Sequence, residues 1–269
     1  MNKLEKIKFL IDELIKERNE LKEIEIPKSY EDKRNLLRAL INVREPGDIS
    51  KEFLKVQDEL LQEERNEKGV VKLSELPTIN EMFLDSKNRH KDRLILWKGD
   101  ITRLDIDAIV NAANSQMLGC FVPCHRCIDN AIHSSAGIQL REECYKIMKR
   151  QGYLEKTGEA KITEGYNLPS KYILHTVGPI VTGDLTDKLC RDLQSCYQSC
   201  LELAEKNKLE SIAFCCISTG EFHFPNQKAA EIAVETVVRY LDNSNSKIKR
   251  VVFNVFKEED FRIYKDLLR

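Results

Sequence analysis

Apolar side chains in residues 1–68 recur three or four positions apart, which is the spacing of one face of an α-helix. Pro27 and the Pro46-Gly47 pair interrupt the pattern, and Ser50 is a suitable N-cap for the segment that follows it. Three amphipathic helices are therefore predicted, either as a small appendage or packed on the domain that follows. Their apolar positions are Leu4, Ile7, Leu10, Ile11, Leu14 and Ile15, then Leu36, Leu37, Leu40, Ile41 and Val43, then Phe53, Leu54, Val56, Leu60 and Leu61.

The composition changes near residue 85, and from about Arg93 short runs of β-branched residues alternate with helical stretches. This alternation is typical of a three-layer α/β/α domain. We therefore predict two regions, a helical N-terminal extension at residues 1–85 and an α/β domain at residues 86–269. The pattern predicts strands at residues 94–97, 108–110, 172–177, 211–216 and 251–256. It predicts one or two helices at residues 128–148, and single helices at residues 189–206, 229–241 and 259–268.

Charged residues make up 32% of the chain, but the formal net charge is only -1. Such a chain lacks the basic field that nucleic-acid binding usually requires. Charges recur every few residues from the N-terminus, and no stretch approaches the roughly 18 consecutive apolar residues of a membrane span. These features predict a cytoplasmic protein with no nucleic-acid or membrane partner. Its nine cysteines are then expected to bind metal or to be buried rather than to form disulfides.

Polar segments follow three of the predicted strands, at the edge where ligands bind to sheets of this kind. Asp100, after strand 94–97, offers an acceptor for an amino group or a hydroxyl. Asn111 and Asn114 flank two alanines after strand 108–110 and suit sugar hydroxyls. The Ser-Thr-Gly turn at residues 218–220 can direct backbone N–H groups at a phosphate. Each segment taken alone is also compatible with an ordinary turn.

A cluster of cysteine and histidine residues follows the second of these segments and precedes the next predicted helix. Cys120, Cys124, His125 and Cys127 fall within eight residues, and thiolate and imidazole are the ligands that zinc prefers. Cys120, His125 and Cys127 could hold one ion from a single loop and leave a fourth position open, as in catalytic sites. With Cys124 as the fourth ligand the site would instead be closed and structural. His133 is expected to be packed or to cap a helix.

Taken together, these motifs resemble the macrodomain family from about residue 90 to the C-terminus. The chain has GDIT at 99–102, NAAN at 111–114, a Gly-led loop and helix at 119–137 that closes with AIHSSAG, and ISTGEFHFP at 217–225. The usual glycine-rich loop of the family is replaced here by GCFVPCHRCID. That departure, together with the helical extension, is similar to a microbial, sirtuin-linked subclass of zinc-containing macrodomains.

The resemblance implies a three-layer α/β/α domain with a mixed sheet that removes mono-ADP-ribose from modified protein side chains. It implies that Asp100 binds the adenine amino group, that Asn114 fixes the distal ribose and that Asp129 accepts a proton or positions a water molecule. One zinc ion per chain would be bound by Cys120, His125 and Cys127, and it would either activate a water molecule or orient a ribose hydroxyl. The implied ADP-ribose contacts are Asp100, Ile101, Ala113, Asn114, Cys127, Ile128, Asp129, Ser218, Thr219, Gly220, Glu221 and Phe222.

The implied partner is a mono-ADP-ribosylated protein. Some members of the subclass are encoded near a sirtuin-type transferase and a lipoylated carrier protein, which makes that carrier one candidate substrate. Two alternatives remain open at this point. One is a reader module that binds ADP-ribose without cleaving it and contains a structural zinc. The other is a zinc-stabilised interaction protein that binds no nucleotide.

Overall fold

The N-terminal region forms three helices, as predicted. The computed structural model describes residues 1–21, 23–243 and 246–269. Helices α1 (Lys3–Glu17), α2 (Tyr30–Val43) and α3 (Lys51–Lys68) begin at the N-caps Asn2, Ser29 and Ser50. Each of these side chains accepts a hydrogen bond from a backbone N–H of the first turn, a group that would otherwise lack an acceptor.

The apolar faces of these three helices form a core of their own, which includes the fully buried residues Ile7, Leu10 and Phe53. Ile138 belongs to the same core although it lies in the α/β domain. Gln57 of α3 also accepts a hydrogen bond from the Ile138 backbone N–H at 3.1 Å. The extension therefore packs directly on the domain. The boundary at residue 85 stays a prediction.

The domain is built on one six-stranded sheet, with helices packed against it. The strand order is β2-β8-β7-β4-β6-β5. Neighbouring strands are parallel except for β5, which is antiparallel to β6, so the sheet is mixed as predicted. The six strands are β2 (Leu94–Lys98), β4 (Ala108–Ala113), β5 (Ala160–Glu164), β6 (Tyr172–Val177), β7 (Ser211–Phe214) and β8 (Arg250–Val255). A separate parallel pair joins β1 (Val71–Lys72) to β3 (Leu104–Asp105).

The remaining helices agree with the predicted pattern, except for the short helix at Ile79–Met82, which was not predicted. The segment predicted as helical at residues 128–148 forms two helices that meet at Gly137, whose φ is +101°. A side chain at this position would be strained, and its Cβ would lie 2.6 Å from Nε2 of Gln57. The helices that follow α3 are α4 (Ile79–Met82), α5 (Ile128–Ala136), α6 (Ile138–Gln151), α7 (Asp187–Lys206), α8 (Asn226–Asn243) and α9 (Glu258–Leu268).

Three strands of the sheet differ from the prediction. The strand predicted at residues 108–110 continues to Ala113, so Asn111 lies inside it and not after it. Strand β5 was not predicted, because its sequence, AKITE, is short and half polar, as suits an edge strand with three half-buried positions. The strand predicted at residues 211–216 ends at Phe214, and Cys215 and Cys216 begin the loop that follows. In the described residues, no helix is both long and apolar enough to cross a membrane.

Candidate active site

The carboxyl ends of three parallel strands place the predicted polar segments at one edge of the sheet. Asp100 follows β2, Asn114 follows β4, and the turn at residues 218–222 follows β7. The loop at residues 119–127, called the metal loop below, leads from this edge into α5 and ends at Cys127, the N-cap of that helix. Residues that are far apart in the sequence therefore meet at one cleft.

Asp129 lies in the first turn of α5 and is almost fully buried, with 5% of its surface exposed. Asn111 Nδ2 donates a hydrogen bond of 2.7 Å to Asp129 Oδ1, and Asn114 Nδ2 donates a longer one of 3.4 Å to Asp129 Oδ2. Burial raises the pKa of the Asp129 carboxyl to about 6, and the hydrogen bond from Asn111 opposes this rise. The arrangement gives a buried carboxyl whose orientation is fixed by two amides.

Behind Asp129, a chain of polar groups continues into the core. The Asn111 amide that contacts Asp129 also donates to His175 Nδ1 at 3.1 Å, and His175 Nε2 lies 2.9 Å from Thr163 Oγ1. Because Nδ1 accepts from an amide N–H, the ring proton is on Nε2, which donates to the threonine. Burial lowers the pKa of His175 to about 3, so the ring is neutral at pH 7. This chain fixes the orientation of the Asn111 amide.

The metal loop brings three ligand atoms together. The ligand atoms of Cys120, His125 and Cys127 all lie within 4.8 Å of one another, and Cys120 Sγ lies 3.6 Å from His125 Nδ1. Two thiols and an imidazole at this separation fit a zinc ion, which binds them at about 2.0–2.3 Å. Burial and the neighbouring Cys120 and Asp129 raise the pKa of the Cys127 thiol to about 12. A cation that replaces the proton would stabilise the thiolate.

The structure separates Cys124 from this group. Its thiol donates to the backbone carbonyl of Asn35 in α2 at 3.4 Å, and its backbone N–H donates to Asn42 Oδ1 at 2.9 Å. The geometry thus favours three protein ligands over four. On the other side of the cleft, Glu221 Oε1 lies 3.7 Å from His125 Nε2, the ring nitrogen that faces away from Cys120. A carboxylate in this position can orient a histidine ligand.

A second group of possible ligands, His133, Cys144 and His175, lies in the core. Both ring nitrogens of His175 already contact Asn111 and Thr163. His133 is packed against Gly119, where a Cβ would lie only 2.8 Å from its ring. His133 is a buried packing residue, although its ring nitrogens have no hydrogen-bond partner within the described part of the chain and its Nε2 lies 3.5 Å from Asp129 Oδ1. Because both nitrogens of His175 have partners already, this second group is a poorer candidate for a metal site than the metal loop.

The turn at residues 218–222 runs from the buried Ser218 to the exposed Gly220 and Glu221, and its two ends are held by packing and a hydrogen bond. Ile217 and Phe224 on either side of it are buried, and the Phe224 N–H donates to the Ser218 carbonyl at 2.9 Å. Ser218 has a φ of +66°, which turns the chain so that successive N–H groups lie on one side. Among the described residues, the N–H groups of Thr219 and Gly220 have no protein acceptor. Such a turn can bind an anion such as a diphosphate.

The remaining predicted contacts lie around these groups. Asp100 Oδ1 accepts hydrogen bonds from the backbone N–H and the hydroxyl of Thr102, which caps the short 3₁₀ turn at residues 101–103. Ile101 and Ala113 are buried beside the cleft, and Ile128 and Phe222 are half-buried. The structure therefore brings all of the predicted site residues to the same edge of the sheet.

His175, Asn130 and the contacts from α2 were not predicted, and Asn111 was predicted to suit sugar hydroxyls and not to hold Asp129. One signal was present in the sequence: Asn111 and His175 are polar residues inside otherwise apolar strands, and both are fully buried. Buried polar groups need hydrogen-bond partners, so such positions often belong to a network. No sequence pattern indicated the contacts from α2, since they join residues up to 92 positions apart.

Comparison with known proteins agrees with this geometry. Residues 110–233 match the family model described as Macro domain. A Treponema medium protein named protein-ADP-ribose hydrolase is 50% identical over 268 residues, which is 100% of both chains. A protein of the same name from Staphylococcus aureus (strain MRSA252) is 48% identical and covers 97% of this chain and 94% of its own length.

A solved structure gives the same result. The Trypanosoma brucei macrodomain in complex with ADP-ribose has a TM-score of 0.66 and 30% sequence identity, and the match covers 86% of this chain and 95% of that one. The agreement extends over almost the whole of the solved chain.

Proposed function

Because this chain belongs to the macrodomain family, we propose that it is a hydrolase that removes mono-ADP-ribose from modified protein side chains. The observation that carries the proposal is the contact of Asn114 and Asp129 at the cleft, beside three zinc-type ligands. A module that only binds ADP-ribose needs a complementary surface but has no use for a buried carboxyl held by two amides. The hydrolase names of the full-length relatives also support this function.

The proposed contacts orient ADP-ribose in one direction along this edge of the sheet. Asp100 has a second carboxylate oxygen that does not cap the 3₁₀ turn and can accept from the adenine amino group. The N–H groups of Thr219 and Gly220 suit the diphosphate, and the exposed Glu221 and the half-buried Phe222 follow them. Ala113 and Asn114 are then next to the distal ribose, whose bond to the protein faces Asp129 and the metal loop.

Within this arrangement, the chain's own groups orient the reaction. Asn114 donates to Asp129 and to the Gly119 carbonyl, at 3.0 Å in the second case, so it connects the ribose site to the metal loop. Asp129 is a buried base that Asn114 contacts, and it would accept a proton or hold a water molecule. Zinc bound by Cys120, His125 and Cys127 would supply a Lewis acid next to the distal ribose.

A mono-ADP-ribosylated protein is the substrate that tests this function. We expect the purified full-length chain to release free ADP-ribose, and a strong zinc chelator to reduce the release. Asp105→Asn is the matched control for an Asp129→Asn variant, because Asp105 is an exposed aspartate in the separate β1–β3 pair. ADP-ribose binding without any release would instead favour a reader module. Absence of both would contradict the proposed site altogether.

The identity of the substrate protein stays a prediction. A lipoylated carrier protein is the candidate implied by the resemblance, and it can be tested in the same release assay against an unrelated mono-ADP-ribosylated protein. The cytoplasmic location inferred from the sequence also stays a prediction.

A further inference from the structure

The metal loop has little structure of its own. Residues 119–127 form neither helix nor strand, and Cys124 has a φ of +54°, which is unfavourable for a residue with a side chain. Within the loop, the His125 N–H donates to the Val122 carbonyl at 3.2 Å. A loop with so few internal bonds loses its geometry unless its neighbours hold it.

Helix α2 of the N-terminal extension supplies that support. Arg38 Nη2 donates to the carbonyl of His125 at 3.1 Å, and Asn42 Oδ1 accepts from the N–H of Cys124 at 2.9 Å. Asn42 is 1% exposed and also donates to Ser134 Oγ at 3.1 Å, so its side chain bridges the loop and α5. Two residues one helical turn apart on α2 thus bind the backbone on both sides of the Cys124–His125 peptide bond.

Asn130 extends the same support to the other half of the loop. Its side chain is fully buried, accepts from Arg38 Nη2 at 2.6 Å, and donates to the carbonyl of Val122 at 3.0 Å. The Asn130 backbone N–H also donates to Cys127 Sγ at 3.4 Å. Arg38 therefore contacts the His125 carbonyl directly and is connected to the Cys127 thiol through Asn130.

We propose that α2 positions the metal loop, with Arg38 and Asn42 as positioning residues that hold Cys120, His125 and Cys127 at the separation that a metal ion needs. The inference rests on the proposed function for the identity of the ion. Its physical basis is that fixing the backbone of a residue costs about 1–2 kcal/mol. If the loop backbone is already ordered before the ion binds, the ion does not have to order it, and the affinity for the ion is higher.

The chain contains a matched control on the same helix. Arg34 lies one turn before Arg38 and forms a two-point ion pair with Glu64 of α3, at 2.6 and 2.8 Å, without contact to the metal loop. Arg34→Ala therefore weakens the extension while it leaves the loop contacts intact. A comparison of Arg34→Ala with Arg38→Ala separates support of the loop from overall stability.

The experiment uses the full chain and two readouts besides activity. In metal-free protein, hydrogen exchange reports the protection of the Cys124 amide and of segment 120–127. We expect Asn42→Ala to increase exchange at Cys124 about fivefold or more, since its acceptor is removed. Zinc affinity is measured by competition with a chromophoric chelator, and we expect Arg38→Ala and Asn42→Ala each to weaken it about tenfold or more.

Arg34→Ala should leave the zinc Kd within about twofold of wild type. An equal loss of affinity in Arg34→Ala and Arg38→Ala would overturn the proposal, as would unchanged exchange at Cys124 in Asn42→Ala. Wild-type protein that binds no zinc would contradict the proposed metal instead. In that case, exchange in the metal-free variants would still support or overturn the positioning of the loop by α2.

Discussion

At the scale of single residues, Asp129 is notable for the kind of partners that it has. Two amides contact its carboxylate, whereas a lysine or arginine in their place would form an ion pair and reduce its basicity. Amide donors fix the direction of the oxygens without adding charge. The carboxyl can therefore be both oriented and basic, which is the combination that proton transfer requires.

Asp129→Asn keeps the size of the side chain and removes its basicity. We expect the rate of ADP-ribose release to fall by about 100-fold or more, with the Kd for ADP-ribose changed only a few-fold. Single-turnover release and isothermal titration measure the two quantities separately. A variant that releases ADP-ribose at the wild-type rate would remove Asp129 from the mechanism.

The cysteines of the metal loop provide a second test at this scale. Cys127→Ala removes one of the three proposed ligands, so we expect zinc content to fall from about one ion per chain to near zero. Cys124→Ala is its control, because the Cys124 thiol contacts the Asn35 carbonyl and lies outside the ligand group. Elemental analysis of the two purified proteins gives the result. Loss of zinc in the Cys124 variant would indicate a closed site with four ligands.

At the scale of elements, the turn at residues 218–222 depends on its neighbour, the loop after β6. Gly178 lies so close to the turn that a Cβ there would be 2.0 Å from Ser218 Oγ. A Cβ at 178 would also lie 2.9 Å from Ile217 Cγ2, so a side chain there has to displace both Ser218 and Ile217. The shape of the proposed phosphate site thus requires glycine in a loop that does not itself bind the ligand.

Gly178→Ala tests this dependence. Overpacking of this kind costs about 1–3 kcal/mol, and we expect the Kd for ADP-ribose to increase about tenfold as the turn is displaced. Gly183→Ala, in the same loop, is the control, because a Cβ at that position meets nothing within 4 Å. Equal affinities in the two variants, measured by titration calorimetry, would show that the turn tolerates the displacement.

The elements that could be predicted from the sequence are those whose apolar residues recur at helical spacing or form continuous runs. The three N-terminal helices and the buried strands follow from apolar spacing alone. Strand β5 did not, because a strand of five residues with only two apolar positions is too short to give a clear pattern. Whether residues 128–148 form one helix or two stayed open in the sequence, since glycine within a helical pattern is tolerated in some helices and ends others.

The site follows the same rule. Cys120, His125 and Cys127 could be proposed as a group because their spacing within one loop limits how far apart they lie. The chain from Asp129 through Asn111 and His175 could not, because it joins residues that are 18 and 64 positions apart. Contacts of this length are fixed by strand order, which the sequence pattern alone does not determine.

At the scale of the whole molecule, buried neutral histidines connect stability to pH. His175 has its pKa lowered from 6.5 to about 3 by burial, and burial and the neighbouring His175 also lower the pKa of His133. Between pH 6.5 and about pH 3, the unfolded chain binds a proton at His175 that the folded chain does not bind. The free energy of unfolding therefore falls as the pH falls below 6.5. The effect of one such histidine is at most ~1.4 kcal/mol per pH unit.

His175→Gln tests the size of this effect. We expect wild-type protein to lose about 2 kcal/mol more than the variant between pH 7 and pH 5, because the variant has no imidazole to protonate at this position. Urea unfolding with a chelator present measures both proteins at both pH values. His223→Gln, at an exposed position, should behave like wild type. A variant with the wild-type pH dependence would contradict the assignment.

The order of strands in the sheet also has a consequence for how the chain is made. Strand β2 leaves the ribosome early, but its partner β8 is almost the last strand of the chain, and the two pair along their whole length from Leu94↔Val251 to Lys98↔Val255. About 150 residues separate them, which is roughly 8–30 s of synthesis at 5–20 residues per second. Throughout that interval, an apolar strand waits with an unpaired edge, and Asp100, at its end, has no finished cleft to join. The unpaired edge of β2 is therefore a site at which the nascent chain is exposed to aggregation until β8 has been made.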